Sequence, residues 1–291
     1  MSALSFAREG ADWPLREASR FVEAGGLRWH VQALGEGTPA LLLHGTAGAT
    51  HSWRGVAPLL APDFQIVAPD LPGHGFTTAR HALDLSLGGM ARAVAALLAK
   101  LEFSPRLVVG HSAGAPILAK MIADGDLAPD LFVAINGAFL PFPGLAGHVF
   151  PTLAKVLRLN PLVAWLFAWN ADRARVDSLL KSMGSKIDAQ GLELYTRLLG
   201  NPGHCAGALG MMANWDLTEM PSDLRRIACP ALLLVGAEDL AVAPDVAKRA
   251  ARSLPRSTIE ILPNLGHLAH EEDPAAVAGA IRRAAATVGL A

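Results

Sequence analysis

Cysteine is scarce: the 291 residues contain two, Cys205 and Cys229, with no paired metal-ligand spacing. A disulfide scaffold and a cysteine-based zinc site are thereby excluded, and a reducing cytoplasm is the expected compartment. Charge is scarce as well, 18% of residues, and balanced, with 25 Lys and Arg against 26 Asp and Glu for a net charge of −1. Without a basic run no long-range field holds a polyanion, so nucleic-acid binding is excluded. Long apolar runs are missing too: the most apolar stretch, 161–169, falls far short of the roughly 20 residues that span a bilayer. The first residues mix Glu9, Asp12 and Glu17 with Arg8, Arg16 and Arg20 and carry no apolar leader segment, so export is not expected. A mean hydropathy of +0.32 keeps peripheral contact with a membrane surface within expectation. Metal-ligand clusters are lacking: His267 and His270 form an i, i+3 pair with no obvious further ligands, and neither a metal nor another cofactor is expected.

Apolar residues, by contrast, make up 52% of the chain, ample for a sheet buried on both faces. Segments 20–24 and 27–34 flank Gly25-Gly26 and predict an antiparallel hairpin. Short, continuously apolar runs at 40–43, 65–68, 106–109, 131–135, 231–235 and 258–262 predict buried parallel strands. Helical patterns at 86–101, 113–123, 244–254 and 274–288 alternate with them, which predicts an α/β fold with a doubly wound, mostly parallel sheet. Between Asn136 and Pro230 about ninety residues intervene, too many for a plain crossover. The expected division is a core of 1–138 and 218–291 and an inserted helical cap of 139–217, lying over the C-terminal edge of the sheet. Within the insertion, helices are expected at 153–159, 162–169, 173–183 and 190–199, with breaks at Pro161, Gly184-Ser185 and Asn201-Pro202-Gly203.

Gly110-His111-Ser112-Ala113-Gly114 follows an apolar strand and opens a helical run, the context a nucleophile elbow requires. The flanking glycines permit a sharp turn that projects the Ser112 hydroxyl. A hydroxyl is a weak nucleophile until a base takes its proton. His267 stands in the loop after the last apolar strand and is the expected base. His270 is read as a solvated first-turn residue, and His30, His51, His74, His81, His148 and His204 as surface, turn or strand residues. Asp239 follows the preceding strand and is expected to orient the imidazole, with Glu238 as the local alternative. The chain order Ser, Asp, His is that of α/β-hydrolases. His44-Gly45-Thr46-Ala47-Gly48 matches an oxyanion loop, whose donors are expected to be the backbone N–H groups of Thr46 and Ala113. A phosphate loop is the competing reading, and the lysine it needs is missing. Asp70-Leu71-Pro72-Gly73-His74-Gly75 is read as a structural loop.

These motifs resemble the α/β-hydrolase superfamily from about residue 20 onward. A narrower resemblance, to the magnesium chelatase accessory proteins of bacteriochlorophyll biosynthesis, rests on Gly10-Ala11-Asp12-Trp13-Pro14, Arg16-Glu17-Ala18-Ser19-Arg20-Phe21 and His44-Gly45-Thr46 followed by Ala49-Thr50-His51-Ser52-Trp53. Asn160-Pro161-Leu162, Pro202-Gly203-His204 and Gly210-Met211-Met212-Ala213-Asn214-Trp215 extend it through the insertion. It implies a role beside the insertion of Mg²⁺ into protoporphyrin IX, with the separate chelatase subunits as partners. Two functions follow: a serine hydrolase acting on an ester or acyl bond of a small apolar substrate, or a non-catalytic tetrapyrrole carrier. Either needs an apolar pocket, expected from His44, Trp53, His111, Phe139, Phe142, Trp165, Met211 and Trp215, with Phe167, Trp169 and Met212 nearby.

Overall fold

The computed structural model describes residues 4–79, 84–140 and 161–290. Phe142, His81, His148 and the helix expected over 153–159 lie outside the described residues. After a short helix α1 (Phe6–Glu9), strands β1 (Ser19–Ala24) and β2 (Leu27–Leu34) pair antiparallel, with Ala24 opposite Leu27. Gly25 and Gly26 close this hairpin with φ of 59° and 78°. That tight connection needs positive φ at both central positions, which glycine adopts without strain.

The chain continues through β3 (Thr38–Leu43), α2 (Val56–Leu60), β4 (Phe64–Pro69), β5 (Thr78–Ala79), α3 (Leu87–Leu101), β6 (Leu107–His111), α4 (Gly114–Asp124) and β7 (Leu131–Ile135). Among the described residues of the insertion, helices α5 (Pro161–Asn170), α6 (Arg173–Ser182), α7 (Ala189–Leu199) and α8 (Pro202–Ala213) follow. After α9 (Met220–Arg225) the sheet resumes with β8 (Ala231–Gly236), α10 (Asp245–Ala251), β9 (Ser257–Leu262), α11 (Ala269–Glu272) and α12 (Pro274–Thr287). The strand order is β1-β2-β4-β3-β6-β7-β8-β9, with β5 paired to β2. The pairs from β4-β3 through β8-β9 are parallel, so the α/β fold is the one the apolar runs predict.

Alternation along each strand sends neighbouring side chains to opposite faces. Leu41 and Leu43 enter a cluster with α3 and α4, whereas Ala40 and Leu42 enter a second cluster with α2 and α12. Every residue of β6, β7 and β8 is buried, which is why these strands read as continuous apolar runs. Edge strand β9 departs from the expected burial: Thr258, Ile259 and Ile261 are exposed, and of its residues Leu262 alone is buried.

The break read at Asn201-Pro202-Gly203 separates α7 from α8 and opens the second helix: the Asn201 side chain accepts from the N–H groups of Gly203 and His204 at 2.9 and 3.0 Å, and Pro202 occupies the first turn, where its missing N–H costs nothing.

The inserted helices are fastened to the rest of the fold at several points. Arg197 of α7 pairs in bidentate fashion with Asp12, at 2.7 and 2.9 Å, and Tyr195 donates to Glu271 at 2.8 Å. Arg54 joins Glu271 to Asp188. The N–H of Leu268 donates to Ser185 Oγ at 2.8 Å. Contacts to segments that follow β3, β4, β8 and β9 place these helices over the C-terminal ends of the strands.

Candidate active site

Ser112 sits between the end of β6 and the start of α4 with φ of 49°, a conformation a non-glycine residue holds only when its surroundings enforce it. Its N–H donates to Ile135 O at 3.0 Å. The close approaches explain the glycines around it. A Cβ on Gly110 would lie 2.5 Å from the Ala115 nitrogen, and one on Gly114 would lie 2.3 Å from Leu43 O. A Cβ on Gly45 would come within 2.8 Å of the Ser112 Cβ, so the loop after β3 presses against the serine. The eleven-residue helix α4 begins directly behind the hydroxyl and adds its N-terminal partial positive charge.

His267 Nε2 is 3.1 Å from Ser112 Oγ, and its Nδ1 is 2.9 Å from Asp239 Oδ2. Asp239 Oδ1 accepts from the N–H groups of Ala241 and Val242, each at 2.8 Å. An ionised carboxylate only accepts, so Nδ1 of the neutral imidazole carries the proton and Nε2 is left to accept from the serine hydroxyl. Both the imidazole and the carboxylate are buried, with side-chain exposures of 8% and 0%. The three side chains expected to converge from three strand ends are together. Glu238 instead faces Lys186 at the surface, 3.7 Å away.

The loop carrying His267 is held by residues whose part the sequence reading missed. Asn136, at the end of β7, donates through Nδ2 to the carbonyls of Gly266 and His267 at 2.9 and 2.8 Å, and its Oδ1 accepts from Gly236 N–H at 2.8 Å. His111 Nε2 donates to the same His267 carbonyl at 2.9 Å. One amide thus ties the strand before the acid to the loop of the base. The only local signal was an Asn-Gly pair after an apolar run, which marks a turn anywhere.

In the loop after β3, Gly45 O accepts from His44 Nδ1 at 2.8 Å and from Gly48 N–H at 3.1 Å. Because the peptide is trans, the N–H of Thr46 points the opposite way from that anchored carbonyl. Among the described residues neither the Thr46 nor the Ala113 N–H is given to a protein acceptor. Two N–H groups of this kind beside a serine hydroxyl are what a developing oxyanion would require.

The expected pocket residues separate into groups. Met211 lies against this loop, its sulfur 3.5 Å from Thr46 Oγ1. His44 is fully buried and binds the loop from behind, accepting the N–H of Leu71 on Nε2 at 2.9 Å, and burial lowers its pKa. His111 lies beneath the site with its pKa pushed well down by burial and by the neighbouring His270 and His267. Trp53 and Phe139 are corrections: Trp53 packs in the α2–α12 cluster with its ring 4.9 Å from that of His270, and Phe139 packs edge-on to Phe132. Trp215 is half-buried against the α3–α4 cluster. Trp165, Phe167 and Trp169 are more than half exposed on α5, and Met212 is also exposed.

His270 is also corrected, from solvated to fully buried, with Nε2 at 2.8 Å from Ser52 Oγ and a pKa lowered to about 3 by burial. His30, His51, His74 and His204 are buried as well, so surface is not the place of any of them. Among the described residues no group of three His, Cys, Asp or Glu is placed to hold a metal, and no helix is long and apolar enough to cross a membrane.

Comparison with known proteins agrees with this construction. The chain is 39% identical over 264 residues to the magnesium-chelatase 30 kDa subunit of Rhodobacter capsulatus, a match covering 90% of this chain and 92% of that one. An α/β-hydrolase fold protein from Burkholderia ambifaria superposes with a TM-score of 0.77 at 22% identity, over 91% of this chain and 97% of its own. A haloalkane dehalogenase variant from Bradyrhizobium elkanii superposes with a TM-score of 0.73 at 20% identity, over 93% and 97%. Identities this low speak for the fold alone. The family model described as the alpha/beta hydrolase family matches residues 40–280, and the chain belongs to that family.

Proposed function

We propose that the protein is an accessory factor of magnesium chelation in bacteriochlorophyll biosynthesis and that it carries a serine hydrolase site for an ester or acyl bond. The first half rests on its relative in Rhodobacter capsulatus and the second on the continuous relay from Asp239 through His267 to Ser112. In this reading Ser112 Oγ attacks the acyl carbon while His267 Nε2 takes its proton. The carbonyl oxygen, now charged, is held by the N–H groups of Thr46 and Ala113. The imidazolium is stabilised by Asp239 and returns the proton to the leaving group. A water activated by the same imidazole then releases the acid from Ser112. Met211 and the half-buried Trp215 are the proposed apolar contacts of the substrate. Segment 139–217 acts as a cap over the core formed by 1–138 and 218–291. The proposed working location is the cytoplasm, with the chelatase subunits as partners.

Incubation with a fluorophosphonate probe followed by peptide mapping tests the chemistry: the label is expected on Ser112, and active protein that takes none refutes a hydrolase. In cells that depend on this chain for pigment, Ser112→Ala is expected to stop magnesium insertion. Normal pigment would leave the accessory role standing without catalysis.

A second reading, binding and delivery of the tetrapyrrole itself, is favoured by one observation. The rings of Trp165 and Trp169 stack at 6.0 Å and 4° on exposed α5 and offer a planar apolar face. Titration with protoporphyrin IX should then quench tryptophan fluorescence saturably, and Trp165→Ala should remove most of the quench. A linear, unsaturable decrease would dismiss the carrier.

A further inference from the structure

The motif Asn201-Pro202-Gly203-His204 takes no part in the relay, yet it places one buried side chain against two loops of the site. His204 Nε2 is 3.0 Å from Ala47 O, and Gly75 N–H donates to its Nδ1, also at 3.0 Å. A carbonyl only accepts and an N–H only donates, so the ring must be neutral with its proton on Nε2. Burial makes it so, lowering the His204 pKa to about 4. His204, Gly207 and Met211 recur at helical spacing along one face of α8. A Cβ on Gly207 would come within 1.9 Å of Gly73 O, and the Met211 sulfur meets Thr46 Oγ1. That face therefore contacts the loop after β3 and the loop after β4 together.

Ala47 is the point where this contact reaches the chemistry. Its φ of 61° is left-handed, which alanine keeps only under constraint. Holding Ala47 O fixes the peptide leading to Gly48, whose N–H closes the turn onto Gly45 O. The Gly45 carbonyl and the Thr46 N–H are opposite sides of one trans peptide. We propose that His204 is a positioning residue for the oxyanion loop, so that the inserted helix α8 decides whether the Thr46 N–H is aimed at the substrate. This rests on the serine hydrolase reading. It makes the site complete only while α8 is seated, and it couples movement of the inserted helices directly to turnover.

The test compares wild type with His204→Ala, His204→Gln, His204→Asn and Tyr195→Phe. Tyr195→Phe removes another buried bond between the insertion and the rest of the fold, the one to Glu271, while keeping the ring that packs on His51. Readouts are the rate of fluorophosphonate labelling, kcat and KM on p-nitrophenyl butyrate, melting temperature, and amide hydrogen exchange of the peptide spanning residues 43–53. His204→Ala is expected to lower labelling rate and kcat at least tenfold with KM within twofold, and to speed exchange in the loop, as for a misaimed oxyanion donor. His204→Gln, whose terminal amide can reach Ala47 O, should recover part of the rate. His204→Asn, too short to reach it, should not. Tyr195→Phe should leave rate and loop exchange near wild type. Unchanged kcat and exchange in His204→Ala, or an equal loss in Tyr195→Phe, overturns the proposal while the hydrolase reading stands. A wild-type protein that neither labels nor turns over the ester overturns both, and its own silence identifies that case.

Discussion

Asp239→Asn is expected to lower turnover and fluorophosphonate labelling by roughly 10⁴-fold while leaving the melting temperature nearly unchanged. The reason lies in which atom of the amide must face the imidazole. Asp239 Oδ1 accepts from the N–H groups of Ala241 and Val242, and an amide nitrogen in that place would set donor against donor. The oxygen of the substituted amide would therefore keep the turn, and its NH₂ would face His267 Nδ1. Nδ1 must then accept, which moves the imidazole proton to Nε2, where it points at the Ser112 hydroxyl and blocks proton abstraction. Size and packing scarcely change, so the loss is one of tautomer and charge. Steady-state kinetics on p-nitrophenyl butyrate with calorimetry on the same sample checks both halves. A variant retaining a tenth or more of wild-type kcat would remove Asp239 from its proposed role.

Acidification is expected to unfold the protein over an unusually narrow range below pH 6.5. Six buried histidines, His44, His51, His74, His111, His204 and His270, have pKa values lowered chiefly by burial. Their folded-state values lie below those of the unfolded chain, so between the two the unfolded state binds more protons. Stability is then full above about pH 6.5 and declines as the pH falls toward the folded values, about 4 for His204 and about 3 for His270. Each such group costs about 1.4 kcal/mol per pH unit in that window. Several together match the ~5–15 kcal/mol net stability of a typical protein by about pH 5. His51 has no partner for either ring nitrogen among the described residues, so a proton there meets no acceptor. Asp70 adds to the trend. Burial opposes its ionisation, but the hydrogen-bonded His30 ring, His44 and the Phe76 N–H hold its carboxyl well below the usual range. Glu271 opposes the trend, because burial raises its pKa despite Arg54 and the hydrogen bonds from Ser52 and Tyr195. Its single contribution is outnumbered. The melting temperature should fall by about 10 °C or more between pH 7 and pH 5.5. A flat profile over that interval would show that the histidines titrate normally in the folded chain.

What could be read from the residues alone was whatever depends on short-range chemistry. Gly25-Gly26 demanded a hairpin because positive φ at two successive positions leaves little else. The runs in β6, β7 and β8 announced parallel strands because a strand covered on both faces has no polar alternation to show. Gly110 and Gly114 around Ser112 marked the elbow because strand and helix approach too closely there for any side chain. Contacts between distant segments decided the rest. Asn136 reaches carbonyls 130 and 131 residues further on, and no spacing rule encodes such a pairing. Trp53 and Phe139 are apolar wherever they lie, and only the packed helices determine that they fill clusters and do not line a pocket. Histidine is equally ambiguous, since its neutral ring suits surface and core alike. Burial supplies the low pKa values, and the partner atoms choose each tautomer, so His204 acquires its place at the oxyanion loop only when α8 docks.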